Sequence, residues 1–193
     1  MQRSDIISAA AQIFRQKGYQ AASMQDIAEA VHLQKASLYH HVESKQEILL
    51  TILNQALDLL IEDMQAVLAS DLDAEDKLRK AIRAYVGRIA GDADLAAVLL
   101  FEYRSLEPGL RQRHVRRRDR YEALWRDLVC EGIDGGQFRK VDAKIATFAL
   151  LGIQNWMITW FREGGGHRAD ELADIFADMV LRGLEPREGS SGE

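Results

Sequence analysis

Residues 23–45 read SMQDIAEAVHLQKASLYHHVESK, and this stretch decides the fold. Ser23 is a good N-cap, and Asp26 three residues on can complete a capping box, so a helix is expected over residues 24–31. His32 and Leu33 make a two-residue turn, and a second short helix follows over residues 35–41. Ile27, Ala28, Val31, Leu33 and Leu38 can form the small core that holds two such helices at a steep angle. Ser44-Lys45-Gln46-Glu47 then opens a third helix with a complete capping box. The pattern is that of a helix-turn-helix, although short capped helices with one apolar face occur in all-α proteins generally.

Working outward, the apolar residues keep a helical period. Ile6, Ala10, Ile13 and Phe14 mark a first helix over residues 4–17, and Gly18 stands where a C-terminal glycine is expected. Downstream, Ile48, Leu49, Ile52, Leu53, Leu57, Leu60 and Ile61 carry one long helix to about residue 68. The polar stretch 70–75, Gly91-Asp92, Pro108-Gly109, Gly135-Gly136 and Gly164-Gly165-Gly166 separate five further segments. These fall at about residues 75–89, 95–106, 110–131, 142–162 and 170–184, making about nine helices in all. The expected class is all-α: a three-helix helix-turn-helix domain in residues 1–47, a helical bundle with dimerisation helices in 48–186, and a disordered tail in 187–193.

Composition narrows the function. One cysteine, Cys130, rules out an internal disulfide and fits a cytoplasmic protein. The segment from Ile145 to Phe161 is apolar but interrupted by Thr147, Gln154, Asn155 and Thr159, and is too short to span a membrane. It is expected instead at the centre of a core or an interface. There is no glycine-rich phosphate loop, nucleophile elbow or metal-ligand spacing, so no catalytic or metal residue is assigned and no cofactor is expected. The net charge of −5 argues against a nucleic-acid partner, yet residues 1–50 carry five bases and five acids. The acidity therefore lies elsewhere, and association with DNA depends on the local field at the contacting face.

A helix-turn-helix sets its second helix in the major groove, with small residues such as Ala36 and Ser37 allowing close approach. Lys35, Tyr39, His40 and Lys45 offer charge or hydrogen bonds to phosphate. This segment resembles the N-terminal domain of the TetR family of bacterial regulators. The resemblance rests on Phe14, Gly18 and Tyr19, on Ile27-Ala28-Glu29-Ala30, and on Lys35, Ser37-Leu38-Tyr39 and His41 leading to Ser44-Lys45. It implies DNA contacts from Ser23, Gln25, Gln34, Lys35, Ala36, Ser37, Tyr39, His40 and Lys45. Three positions depart from the family pattern: His32 replaces the usual turn glycine, Gln34 the usual Ser or Thr cap, and Val42 an aromatic. A left-handed backbone costs more for His than for Gly, and Gln caps weakly.

The remainder is read as a sensing and dimerising region. Ala146, Ala149, Gly152 and Ile153 on the eighth helix, with Leu172, Phe176, Met179 and Val180 on the ninth, are expected at a two-fold interface. Pocket candidates are Phe101, Tyr103, Trp125, Trp156, Met157 and Trp160, each of which ordinary core packing would also explain. Arg113, Arg116, Arg117 and Arg120 share one helical face, readable as a solvated helix end, a second DNA surface or an anion clamp with Arg104. Residues 99–109 (LLFEYRSLEPG), 117–125 (RRDRYEALW) and 155–161 (NWMITWF) are similar to sensor domains of TetR-type repressors of fatty-acid, phenylacetate and sterol degradation. That similarity implies an acyl-coenzyme A effector. The expected function is a repressor that binds a palindromic operator in double-stranded DNA as a homodimer and is released by that small molecule. A hydrophobic drug-like cation held by carboxylates such as Glu102, or an effector-independent DNA-binding protein, is the alternative.

Overall fold

The computed structural model describes residues 2–185. The tail expected at 187–193 lies outside the described residues. Among these there are nine α-helices and no strand: α1 Arg3–Lys17, α2 Met24–Ala30, α3 Lys35–Leu38, α4 Lys45–Leu68, α5 Ala74–Gly91, α6 Ala93–Phe101, α7 Pro108–Asp134, α8 Ala143–Trp160 and α9 Ala169–Leu184. A 3-10 turn, Tyr103–Ser105, follows α6. The all-α class expected from the period of the apolar residues is the one observed.

The chain forms two compact units. The first runs to Leu59 and includes Asp92–Asp119; the second joins Leu60–Gly91 to the chain from Arg120 onward. In the first unit α1 buries Ile6, Ala10, Ile13 and Phe14 and packs against α2 and α6. Arg15 pairs with Asp94 at 2.8 Å, tying α1 to the first turn of α6. Two boundaries differ from expectation. The helix read over 95–106 stops at Phe101, and the chain tightens into the 3-10 turn. Pro108, read as a breaker, instead begins α7, because its fixed φ and missing N–H suit the first helical position.

In the second unit α5 packs against α9 and α8. Leu78, Ile82, Val86, Trp125, Leu128, Val129, Met157, Leu172, Phe176 and Leu181 are all buried there. Leu172 and Phe176 therefore belong to the core of the protomer, which corrects their assignment to a dimer interface. Helix α9 is amphipathic, and they lie on its inner face with Ala173 and Ala177, while Ile175 and Met179 lie on the outer one. After α7 the chain reverses through Gly136, whose φ of 74° is the left-handed region open to glycine. The reversal brings the Phe138 ring onto Gly132, where an added Cβ would stand 2.2 Å from the ring. Arg139 then donates its backbone N–H to the Leu184 carbonyl at 2.7 Å and its Nε to the Gly183 carbonyl at 2.8 Å, closing the end of α9.

Candidate nucleic-acid interface and sensor core

The helix-turn-helix is fixed by local chemistry. The Ser23 hydroxyl accepts from the Asp26 N–H at 3.1 Å, and the Asp26 carboxylate accepts from the Ser23 N–H at 2.8 Å. Lys17, at 2.6 Å, and the Ser23 hydroxyl and amide hold the Asp26 carboxyl down at about 2, so the box stays charged at neutral pH. At the turn His32 has φ 55°, the left-handed conformation expected of this position, and Leu33 N–H reaches the Ala28 carbonyl at 2.8 Å. Gln34 makes no side-chain cap bond, as its weak capping tendency implies. Helix α3 ends at Leu38, three residues short of expectation, because the amides of His40 and His41 turn to the carbonyls three residues back.

This geometry leaves one polar face outward. Ser23, Gln25, Gln34, Lys35, Ala36, Tyr39 and His40 are exposed, and Ser37 is half-buried. Ile27, Ala28 and Leu38 are buried on the opposite side. Gln25 is held by Glu29 at 2.8 Å, whereas the side chains of Lys35, Tyr39 and His40 have no hydrogen bond or ion pair among the described residues. Their donors and charge remain available to a groove.

Lys45 behaves differently from the reading that gave it a phosphate contact. It is half-buried and turned inward. Its Nζ donates to the carbonyls of Tyr19 at 2.8 Å and Ala22 at 2.6 Å and stands 4.3 Å from the centre of the Tyr19 ring. The lysine thus fixes the chain just ahead of the Ser23 cap. The next residue, Gln46, is a clamp that sequence reading missed. Its Nε2 donates to the Tyr19 hydroxyl and the Ser105 carbonyl, both at 2.9 Å, and its Oε1 accepts from the Glu107 N–H at 3.0 Å. One amide joins the end of α1, the start of α4 and the link between α6 and α7. Its position two residues after a cap gave no sign of this, since the partners are remote in sequence.

The second unit holds the aromatic centre. Tyr85, Tyr121 and Trp125 surround a cavity of about 10 Å³ with Leu60, Asp63, Met64, Ala81 and Ala84, room for roughly one water. Tyr85 and Tyr121 stack at 6.5 Å, and Trp125 meets both edge-on. Tyr85 donates to Asn155. Burial pushes the Tyr121 phenol well above its ordinary value. Asp63 is gripped by Arg88 through two bonds, 2.6 and 2.9 Å. Of the pocket candidates, Trp125 lies at this cavity and Met157 is buried, while Tyr85, Tyr121 and Asp63 were not foreseen. Thr147 Oγ1 and Gln154 Oε1 are buried without hydrogen-bond partners. Such groups cost about 1–3 kcal/mol each when left unpaired.

Other expected ligand residues are placed elsewhere. Trp156 and Trp160 are 66% and 44% exposed, on the outer face of α8. They continue an apolar row of Ile145, Phe148, Ala149, Gly152 and Ile153. Between α8 and α9 this face holds a groove of about 360 Å³ lined in part by Ala146, Ala149, Ile153, Met179 and Val180. Phe101 is exposed on the first unit. The arginine row lies at the surface. Arg113, Arg116 and Arg120 are exposed, and Arg117 is tied to Asp58 and, at 3.2 Å, to Asn54. Among the described residues no cluster could hold a metal ion, and no helix is long and apolar enough to cross a membrane.

Residues 6–52 match the family described as bacterial regulatory proteins, tetR family, and residues 71–184 match the tetracyclin repressor-like C-terminal domain. The chain belongs to the TetR family. Among solved TetR-family structures it is similar to the transcriptional regulator PfmR of Thermus thermophilus, with 39% identity, TM-score 0.86, and 94% of this chain and 99% of that one covered. It is 29% identical to the transcriptional repressor KstR2 of Rhodococcus jostii over 94% of this chain and 90% of that protein. It is also similar to AibR solved with isovaleryl coenzyme A and operator DNA, with 27% identity, TM-score 0.84, and 96% and 99% coverage. The TetR-family relatives are regulators of transcription rather than enzymes, which agrees with the outward polar face of the helix-turn-helix.

Proposed function

We propose that this protein is a TetR-type repressor that binds a palindromic operator as a homodimer and is released by an acyl-coenzyme A. The observation that carries the reading is the exposed row on α2 and α3, with Lys35, Tyr39 and His40 free to meet DNA. The likeness to AibR, solved with both kinds of ligand, supports the pairing of DNA and thioester. The outer apolar face of α8, with Met179 of α9, is the surface proposed for the second chain, because a palindrome requires two recognition helices one turn of DNA apart. The effector acts by selecting a conformation in which those helices no longer fit successive grooves. The unpaired Thr147 hydroxyl and Gln154 Oε1 support a second unit able to accept a ligand with polar atoms.

A drug-like cation has less support. The carboxylate at the cavity, Asp63, is already neutralised by Arg88, and Glu102 accepts from Ser105 in the first unit. The test is a gel shift on the DNA upstream of the protein's own gene, with and without a series of acyl-coenzyme A esters. Retarded DNA released by one ester is the expected result. No retardation would overturn the repressor reading, and retardation indifferent to every ester would overturn the effector.

A further inference from the structure

Outside the helix-turn-helix and the aromatic cavity, one cluster in the first unit has unmatched chemistry. Tyr103, in the 3-10 turn, is flanked by two guanidiniums: Arg118 stands 4.4 Å and Arg104 5.7 Å from its ring centre. Arg104 Nε also donates to the Tyr103 hydroxyl at 3.3 Å. Among the described residues neither arginine has a carboxylate partner, whereas Arg117 next door is neutralised by Asp58. Beside them His114, one turn before Arg118, lies 6.3 Å from Tyr103 ring to ring. It is 1% exposed, and neither ring nitrogen has a hydrogen-bond partner. Burial, with Arg118 and Arg117 nearby, lowers its pKa to about 4, so it is held neutral with one unsatisfied N–H donor.

Two guanidiniums whose acceptor here is one phenol oxygen, and an orphaned imidazole beside them, leave more donors than acceptors on one spot. An anion with several oxygens would bring opposite charge between arginines that now share one phenol as their acceptor. A phosphate fits this better than a carboxylate, since its oxygens point in more than two directions. We propose that Tyr103, Arg104, His114 and Arg118 form a phosphate-binding site within the first unit. The arginines that hold phosphate are then the unpaired pair at Tyr103, not the solvated row of Arg113, Arg116 and Arg120. Position gives the site a route to the DNA-reading end. Ser105 and Glu107, immediately after Tyr103 and Arg104, are the residues that Gln46 holds.

The test is calorimetric titration of the full chain with pyrophosphate, coenzyme A and pantetheine, the last having no phosphate. Wild type is expected to bind coenzyme A at least tenfold more tightly than pantetheine, and to bind pyrophosphate measurably. Arg104→Gln with Arg118→Gln should lower coenzyme A and pyrophosphate affinity at least tenfold, while Arg118→Lys, which keeps the charge, should restore part of it. Arg104 is exposed, so Arg104→Gln alone gives a readout without disturbing packing. Equal binding of coenzyme A and pantetheine, no binding of either phosphate probe, or titrations unchanged by the arginine substitutions would overturn the site. The two readings can fail separately. Pyrophosphate binding that depends on Arg104 and Arg118, in a protein whose DNA complex ignores every acyl ester, keeps the site and removes the thioester. Release by an ester, with pyrophosphate binding indifferent to both arginines, removes the site and keeps the thioester.

Discussion

The helix-turn-helix and the second unit solve opposite problems. In the first, the inward polar groups are paired and several outward ones are free. Ser23 and Asp26 cap α2, Lys45 satisfies two carbonyls, and Lys35, Tyr39 and His40 stand in solvent. In the second, the arrangement is inverted. Thr147 and Gln154 hold unpaired polar atoms inside, and Ile145, Phe148, Ile153 and Trp156 expose apolar surface outside. The reading head is complete as a single chain; the second unit has unmet valence on both its inner and outer faces.

The largest expected effect strikes the outer face. Ile153→Asp should convert the protein to monomer at micromolar concentration and weaken operator binding by orders of magnitude, read by sedimentation and gel shift. A dimer that survived would break the comparison on its outer side. His114 comes next. Its folded pKa of about 4 lies below the ordinary value of 6.5, so its contribution is complete above pH 6.5 and is lost as pH falls through 4. On the order of 3 kcal/mol is at stake, and urea unfolding at pH 7 and pH 4.5 should show a larger loss for wild type than for His114→Phe.

Two substitutions test the inversion directly. Ser23→Ala should cost about 1 kcal/mol, because it removes a cap. Thr147→Val should instead gain about 1 kcal/mol, because it removes an unpaired buried hydroxyl at nearly constant shape. The same sign for both would contradict the contrast. Smaller still are the effects of three substitutions within the head. Lys35→Ala should reduce the slope of log affinity against log salt by roughly 0.9, whereas Lys45→Ala should lower stability and leave that slope close to wild type. His32→Gly should raise stability by up to about 1 kcal/mol, since φ 55° is easier without a Cβ.

What could be read from the sequence follows the range of the forces involved. The capping box at Ser23, the left-handed turn at His32 and the apolar period of α1, α2 and α4 act over a few residues, and the structure has them where the sequence places them; of the box expected at Ser44 it has only the half in which Ser44 accepts from the Glu47 N–H, the Glu47 carboxylate taking the Glu43 N–H instead. The 3-10 turn after Phe101 and the start of α7 at Pro108 are local too, but there proline was taken as a stop when it serves equally as a beginning. Lys45, Gln46 and Asp63 were misjudged or missed because their partners lie 20 to 60 residues away, a separation that no periodicity records. On α8 and α9 the apolar period was plain, but period does not say which apolar face turns inward. Hence Leu172 and Phe176 proved to be core, and Trp156 and Trp160 surface.

The outer face of α8 also bears on dosage. If two chains must meet there before two recognition helices can act together, operator occupancy rises more steeply than in proportion to the amount of protein. Each tenfold dilution takes about 1.4 kcal/mol from the paired state relative to separate chains. A gene controlled in this way would respond to a modest fall in repressor number much as it does to effector. The stripe from Ile145 to Trp160 would then set a copy-number threshold as well as a contact.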